Sequence, residues 1–560
     1  MATFNRRGLL QTAGAALAAP YLWLPARAED AAWATQTVSP FVEVETANGR
    51  IRGGHSRGAL AFKAIPYAGP VSGKNRFKAP PKVTPWAGVR DATMLGSPAL
   101  QSPGTTYGEH EPAYSEDCLL LNVWTPATDG AKRPVMFYCH GGGFTMGSGG
   151  QKTQDGAKLA TTYDVVVVAL NHRLGLFGYL YLGELAGADY AASGNQSHLD
   201  VVAALAWVKE NIAAFGGDPS NVMLFGESGG GAKTSALLAM PAAQGLFHKA
   251  AIQSGAMLRG ITKEAATETA LRVLAGLGLG AKDVHKLAGV PAEKLLAIQL
   301  AGAKGPLAQP AAAWLSRHPA PTGPEPWGGG QPGNWGPVVD GSVLPAGPFS
   351  PAAPATAASV PLLIGNCRDE AVFFEREHPA FFHSDEATLT ALTHKNLGPD
   401  ADRVLALYRQ TRPNQTPVER AIAIMTATGF GNDTITLADR KAAQPAPVYR
   451  YRYDYQSNTP IPGTDWTYRA AHASDIAMVF YNYEFKDMQG TAKGIAEASK
   501  AMSGYFASFA RNAVPSAAGQ PAWPRYDAEK RATMLINSQS QVVNDPDSQE
   551  RQLWQALNKA

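Results

Sequence analysis

The chain has 560 residues, of which 45% are hydrophobic, 17% charged and 9% aromatic, a composition that supports a large buried core and excludes wholesale disorder. Its 49 basic and 46 acidic residues give a formal charge of +3, but three of the arginines fall in the first 28 residues, leaving 46 against 46 beyond them. A nucleic-acid partner, which needs a basic face to neutralise phosphates, is therefore not expected.

The N-terminal stretch NRRGLLQTAGAALAAPYLWLPARAED pairs Arg6 with Arg7, continues with a mildly apolar segment and places Ala26-Arg27-Ala28 ahead of Glu29. That pattern predicts a twin-arginine export signal over residues 1–28, cleaved after Ala28, and an exported protein, periplasmic or extracellular. No later run is long and apolar enough to span a bilayer. Cys118, Cys139 and Cys367 are too few for a disulfide framework, which suits a fold completed in a reducing cytoplasm before export. No C-x-x-C, H-E-x-x-H or comparable ligand spacing occurs, so neither a metal nor a cofactor is expected.

After the leader, FVEVETANGRIRGG and ALAFKAIPYAG read as an antiparallel hairpin region. Further along come RPVMFYCHGGGF, YDVVVVALNHRLG, NVMLFGESGGG, HKAAIQSGA, VPLLIGNCRDE and VYRYRYDY, mostly short Val/Ile/Leu-rich runs that end at glycine or polar residues. Helical stretches such as HLDVVAALAWVKENIAAF separate them. Alternation of this kind predicts an α/β fold with a mostly parallel central sheet flanked by helices, whose working residues lie just past the carboxyl ends of the strands. Residues 300 to 358 turn rich in Pro, Gly and Ala; strand-like segments on both sides make them a long loop insertion near the site rather than a linker, so residues 29–560 read as one domain. The sequence contains no internal repeat.

The segment NVMLFGESGGGAKTSALLAM fits two chemistries, a phosphate cradle and a nucleophile elbow. A P-loop needs Gly-Lys-Ser/Thr without a gap, and here Ala232 intervenes between Gly231 and Lys233, so the lysine is out of register. The elbow needs Gly-x-Ser-x-Gly, and Gly226-Glu227-Ser228-Gly229-Gly230 supplies it. With 57 glycines the pattern arises by chance, and Gly54-His55-Ser56-Arg57-Gly58 repeats it. That copy joins two strand-like segments and reads as a hairpin turn; only Ser228 sits between a buried strand and a helix. Lys233 and Thr234 then become early residues of that helix.

An elbow serine needs a histidine to take its proton, a carboxylate to orient that histidine, and backbone N–H donors for the oxyanion. In α/β-hydrolases the chain order is Ser, then Asp or Glu, then His, with an HGGG-type loop upstream. His140-Gly141-Gly142-Gly143-Phe144 supplies the loop, Asp369 and Glu370 stand at a later strand end, and His472 follows VYRYRYDY.

In this order YSEDCLLLNVWTP, HGGGFTMGSG, NHRLGLFGY, NIAAFGGDPSNVMLFGESGGG, IQSGA, PVVDGSVLP and GNCRDEAVFF resemble the type-B carboxylesterase family, which includes cholinesterases and bacterial para-nitrobenzyl-type esterases. The resemblance runs from about residue 38 to the end and is strongest in the first half. It implies the α/β-hydrolase fold with long loop insertions and selects Glu370 over Asp369 as the acid. It also implies Gly142, Gly143 and Gly229 as oxyanion donors, with Ser254 and Glu227 in support. The family's pattern is broken in places. Cys118 has no upstream cysteine to pair with, so the loop from Ser97 to Glu116 is expected to be unpinned. Tyr107 and Gly108 stand where cholinesterases carry a tryptophan for a quaternary ammonium, which argues against choline esters. GNQSHLDVV departs from the usual Gly and Gln, and Ala371 replaces the glycine after the acid.

Other polar residues have structural readings. His140 shapes the oxyanion loop without titrating; His378 and His383 are solvated; Glu116, Asp117 and Arg173 form structural ion pairs. The implied function is a serine carboxylesterase acting on small-molecule esters through an acyl-enzyme. Lipase-like, carbamate- or lactone-cleaving action shares this machinery, and a non-catalytic binding module on the same fold is the alternative from another class. No oligomeric state is read from the sequence.

Overall fold

The computed structural model describes residues 40–102, 113–301 and 335–557. The predicted export signal, Tyr107, Gly108 and most of the Pro/Gly-rich insertion lie outside the described residues.

Thirteen strands form the main sheet: β1 Phe41–Thr46, β2 Gly49–Ser56, β3 Ala59–Pro66, β4 Val89–Asp91, β5 Leu120–Thr125, β6 Arg133–Cys139, β7 Val166–Leu170, β8 Gly217–Glu227, β9 Lys249–Gln253, β10 Leu362–Cys367, β11 Val448–Tyr453, β12 Ala532–Ile536 and β13 Gln541–Asn544. Their spatial order is β1-β2-β3-β5-β7-β6-β8-β9-β10-β11-β12-β13, with β4 beside β2. From β7 to β12 every pairing is parallel. The pairings β1/β2, β2/β3, β3/β5, β5/β7 and β12/β13 are antiparallel. The parallel centre and the first hairpin are as the sequence predicts. The antiparallel edge extends further than expected, because β5 joins it; its LLNVWT is almost wholly buried, and a continuous apolar run carries no mark of strand direction. At the second Gly-x-Ser-x-Gly copy, Arg57 (φ 49°) and Gly58 (φ 88°) make a two-residue turn between β2 and β3, as read from the sequence.

Two cores lie on the two faces of the sheet, sorted by the two-residue period of the strands. On one face Val135, Phe137, Val222 and Leu224 pack against Val201, Leu205 and Val208 of the helix Gln196–Asn211. On the other, Met136, Tyr138, Met223 and Phe225 meet Met502, Phe506 and Phe509 of the helix Ile495–Asn512. β6 and β8 are thereby fixed at the centre, with their carboxyl ends side by side: Cys139 pairs with Gly226. No helix among the described residues is long and apolar enough to cross a membrane.

The loop expected to be unpinned is held where it is described. Asn171 Nδ2 donates to the Ser97 carbonyl (3.1 Å), Gln101 exchanges two hydrogen bonds with the Gly147 backbone (2.7 and 2.9 Å), and Arg76 clamps Glu116 (2.6 Å). Polar anchors thus replace a disulfide, and Cys118 is a buried free thiol, as are Cys139 and Cys367. Arg173 pairs with buried Asp200 (2.6 Å) as expected, whereas Asp117 forms no ion pair among the described residues.

Phe225 is fully buried, with its ring 4.9 Å from Tyr138 and 5.8 Å from Phe480. Phe225→Ala is expected to cost about 3–5 kcal/mol in unfolding free energy, read as a lower denaturant midpoint at unchanged slope.

Candidate active site

β8 ends in a turn too tight for ordinary side chains on either flank of Ser228. A Cβ on Gly226 would lie 2.5 Å from the Gly230 carbonyl carbon, and one on Gly230 only 1.9 Å from the Cys139 carbonyl oxygen. Ser228 itself has φ 56° and ψ −123°, outside the regions an L-residue ordinarily occupies. Its N–H donates to the Gln253 carbonyl (2.8 Å), tying the turn to the end of β9. The helix Gly229–Ala239 begins at once, so Ser228 is aimed away from the sheet, at the carboxyl ends of its strands.

Three chain-distant side chains converge there. His472 Nε2 lies 2.8 Å from Ser228 Oγ, and its Nδ1 lies 2.5 Å from Glu370 Oε2. The other oxygen of Glu370 accepts the Ser254 hydroxyl and the Cys367 amide, both at 2.6 Å. Asp369 faces elsewhere, accepting from Gln456 Nε2 (3.2 Å) and the Ala470 amide (3.4 Å). The chain therefore brings Ser228, Glu370, His472 and Ser254 into one hydrogen-bonded row.

The glycine loop after β6 lies against this row. Gly142 (φ 99°) permits a turn in which its carbonyl accepts from Thr145 and Met146, and a Cβ there would meet the Met146 carbonyl oxygen at 2.1 Å. A Cβ on Gly229 would lie 2.9 Å from the Gly143 nitrogen, so Gly143 and Gly229 are neighbours across the site. Gly229 is the first residue of its helix, where amide hydrogens have no intrahelical acceptor. Gly143 and Gly229 border each other beside Ser228, with Gly142 next along the loop.

With this geometry in view, the likeness to known proteins is decisive. The sequence pattern described as the carboxylesterase family matches residues 39–554. The chain belongs to the carboxylesterase family. It is 38% identical over 519 residues to the para-nitrobenzyl esterase of Bacillus subtilis, covering 91% of this chain and 97% of the relative. To the liver carboxylesterase of Sus scrofa it is 32% identical over 572 residues, 96% of each chain. A crystal structure of a Geobacillus stearothermophilus carboxylesterase superposes with a TM-score of 0.76 at 37% identity, covering 91% of this chain and 99% of that one. This carboxylesterase thus has the α/β-hydrolase fold and is a carboxylic ester hydrolase.

The electrostatics of the carboxylesterase site separate one histidine from the rest. Burial alone would lower the His472 pKa, but the charges of Glu227 and Glu370 and the hydrogen bond to Glu370 outweigh it and raise it to about 9. His140 and His198 are pushed down to about 3 by burial and by the charge of Lys233, and His172, stacked on His140 at 4.4 Å, falls well below its ordinary value for the same reasons. His140 is accordingly a neutral part of the loop, as expected. His378 is exposed and pairs with Glu375 (3.2 Å), and His383 is exposed as well.

Three features were not legible beforehand. Glu227, expected only as support, places Oε1 3.3 Å from His472 Nε2, and its burial pushes its pKa up to about 8. Asp475 is buried three residues past His472, where Gln253 Nε2 and the Tyr451 hydroxyl both donate to it at 3.0 Å. Lys233 is an early residue of its helix as read, yet it is fully buried, donates to the His140 carbonyl (3.1 Å) and stands over the Phe144 ring. The out-of-register P-loop lysine was the visible signal; its burial was not, because the helix around it is buried on all sides.

The charge of Glu227 raises the His472 pKa, and a general base must be neutral to act, so with His472 as the base activity is expected to fall as pH drops through that pKa. In Glu227→Gln the carboxylate is gone and that pKa falls. The acid limb of kcat/KM is expected to move to lower pH by on the order of one pH unit.

Proposed function

We propose that Ser228, His472 and Glu370 form the catalytic triad of a serine carboxylesterase that hydrolyses small-molecule esters through an acyl-enzyme. The observation that carries this reading is the row Ser228 Oγ, His472, Glu370, with contacts of 2.8 and 2.5 Å on the two ring nitrogens. Nε2 accepts the serine proton while Oγ attacks the ester carbonyl, and Glu370 holds the ring with Nδ1–H donating and stabilises the imidazolium. Gly142, Gly143 and Gly229 donate their amides to the oxyanion. His472 then passes the proton to the departing alcohol. Water, deprotonated by His472, attacks the acyl carbon, the carboxylic acid leaves, and Ser228 regains its proton. Ser254 and Cys367 act through Glu370, holding the oxygen that does not touch the histidine.

Phe374 and Phe430 stack at 5.7 Å, and their ring centres lie 5.0 and 4.7 Å from that of His472. Phe374 is 45% exposed, so an apolar surface lies open beside the base. It favours a substrate with an apolar acyl or alcohol group over a highly charged one. Carbamates and lactones would meet the same nucleophile and the same wall. A binding module without catalysis is disfavoured by the intact row of three side chains. The Arg6-Arg7 pair and the Ala26-Arg27-Ala28 sequence support export through a twin-arginine signal, and N-terminal sequencing of the processed protein from cell fractions is expected to begin at Glu29.

Ser228→Ala is expected to lose on the order of 10⁴-fold or more in p-nitrophenyl ester hydrolysis and to gain no mass adduct from a phosphonate probe, while wild type gains one. Equal behaviour of the two proteins would remove Ser228 as the nucleophile.

A further inference from the structure

Away from the triad, the alternation of VYRYRYDY sorts β11 onto two faces. Tyr449, Tyr451 and Tyr453 enter one core, so Arg450 and Arg452 project from the other side. There their neighbours in register are Ile364 and Asn366 of β10 and Thr533 and Leu535 of β12. This face does not close on apolar packing. It bounds a cavity of about 370 Å³, roofed by the helices Pro417–Thr426, Asn432–Ala442 and Ser548–Leu557 and reached by Arg368 and Asp369 from the end of β10.

The cavity wall carries both signs of charge, and most are paired. Arg452 holds Asp454 (2.6 Å) and Asp547 (2.8 Å), Arg412 holds Glu550 (2.8 Å), Arg469 holds Glu419 (3.0 Å), and Arg551 holds Asp545 (2.7 Å). Asp369 has its two N–H donors from Gln456 and Ala470. Arg450 stands apart. It is 5% exposed, its Nη1 donates to Thr533 Oγ1 (2.7 Å), and its Nε has no acceptor among the described residues. Among the described residues no carboxylate lies within ion-pair distance of it, and none pairs with Arg368. Asn366 Oδ1, also buried on this wall, has no donor. A guanidinium taken out of water without a counter-ion is unfavourable, and its planar fork matches a carboxylate or phosphate edge.

We propose that this cavity binds a small oxyanion, a carboxylate or phosphate group, held by the guanidinium groups of Arg450 and Arg368. The paired arginines and acids around them line the walls, and about 370 Å³ accommodates a dicarboxylate or inorganic phosphate. The site includes neither Ser228 nor His472, so it stands independently of the ester reaction.

The test is titration of the whole mature protein with inorganic phosphate and, separately, succinate, at ionic strength held constant with sodium chloride, read by calorimetry and by thermal unfolding. Saturable binding of at least one anion is expected, with the tighter one identifying the ligand class. Arg450→Met is expected to weaken it at least ten-fold, and Arg368→Gln to weaken it measurably, while ester turnover reports that both variants are folded. Absence of saturable binding to either anion, or unchanged affinity in Arg450→Met, overturns the proposal and leaves a hydrated polar cavity. Should Arg450→Met not fold, unchanged affinity in Arg368→Gln overturns it equally.

Discussion

The active site depends on the backbone at Ser228. Its φ of 56° with ψ of −123° costs on the order of 1–3 kcal/mol for a residue with a side chain, and only a rigid surround can hold it. That surround is β8, buried on both faces between β6 and β9, together with a helix that is buried along its whole length. Gly226 and Gly230 allow the helix to start against the end of β6, and the Ser228 amide is anchored on β9. The strain therefore has a local chemical use. It lifts one hydroxyl clear of the backbone and leaves the amide of the next residue free to face the same point as the loop after β6.

Charge is segregated around that turn. On one side, three buried carboxyl groups, Glu227, Glu370 and Asp475, surround His472 and favour its cation. On the other, Lys233 lies beneath the glycine loop, its own pKa lowered to about 8 by burial, among histidines whose cations it disfavours. The arrangement suits the proposed reaction, in which positive charge would appear on His472 and negative charge on an oxygen at the glycine amides. The chain has twelve histidines, and in the sequence only the chain order, after the acid and after VYRYRYDY, singles out His472. The structure adds a second mark, the sign of the surrounding charge, which the fold alone assembles.

This explains which parts of the site could be read in the sequence. Ser228 was legible because an elbow imposes local demands, glycines two residues to each side and a strand before a helix, and those demands are written contiguously. The parallel centre was legible for the same reason, each strand carrying its own apolar run. Glu370 was separable from Asp369 only through family resemblance. In the structure the difference is one of direction: the Cys367 amide and the Ser254 hydroxyl both point at Glu370, while Asp369 turns toward Gln456. Glu227 reaches His472 through folding that brings the end of β8 to the loop after β11, which no spacing records; Asp475 is only three residues from His472, but its burial against Gln253 and Tyr451 is equally non-local. The ion pair and amide contacts that pin the described ends of the loop after Ser97 are non-local as well, and the missing cysteine partner gave no sign of them.

A single strand shows how closely the separate parts are joined. In β11 the tyrosines face the core behind the triad, where the Tyr451 hydroxyl donates to Asp475, which also accepts from Gln253, whose carbonyl in turn holds the Ser228 amide. The arginines of the same strand face the other side and organise the charged cavity. A shift of β11 by one residue would exchange the two sets, placing guanidinium groups among the carboxylates around His472 and phenols in the cavity. Its register is fixed from both flanks, by β10 from Val448 to Tyr453 and by β12 from Arg450 to Tyr453. The alternation of tyrosine and arginine is thus one constraint that serves two sites, and the sheet transmits it to both without either side chain set touching the other.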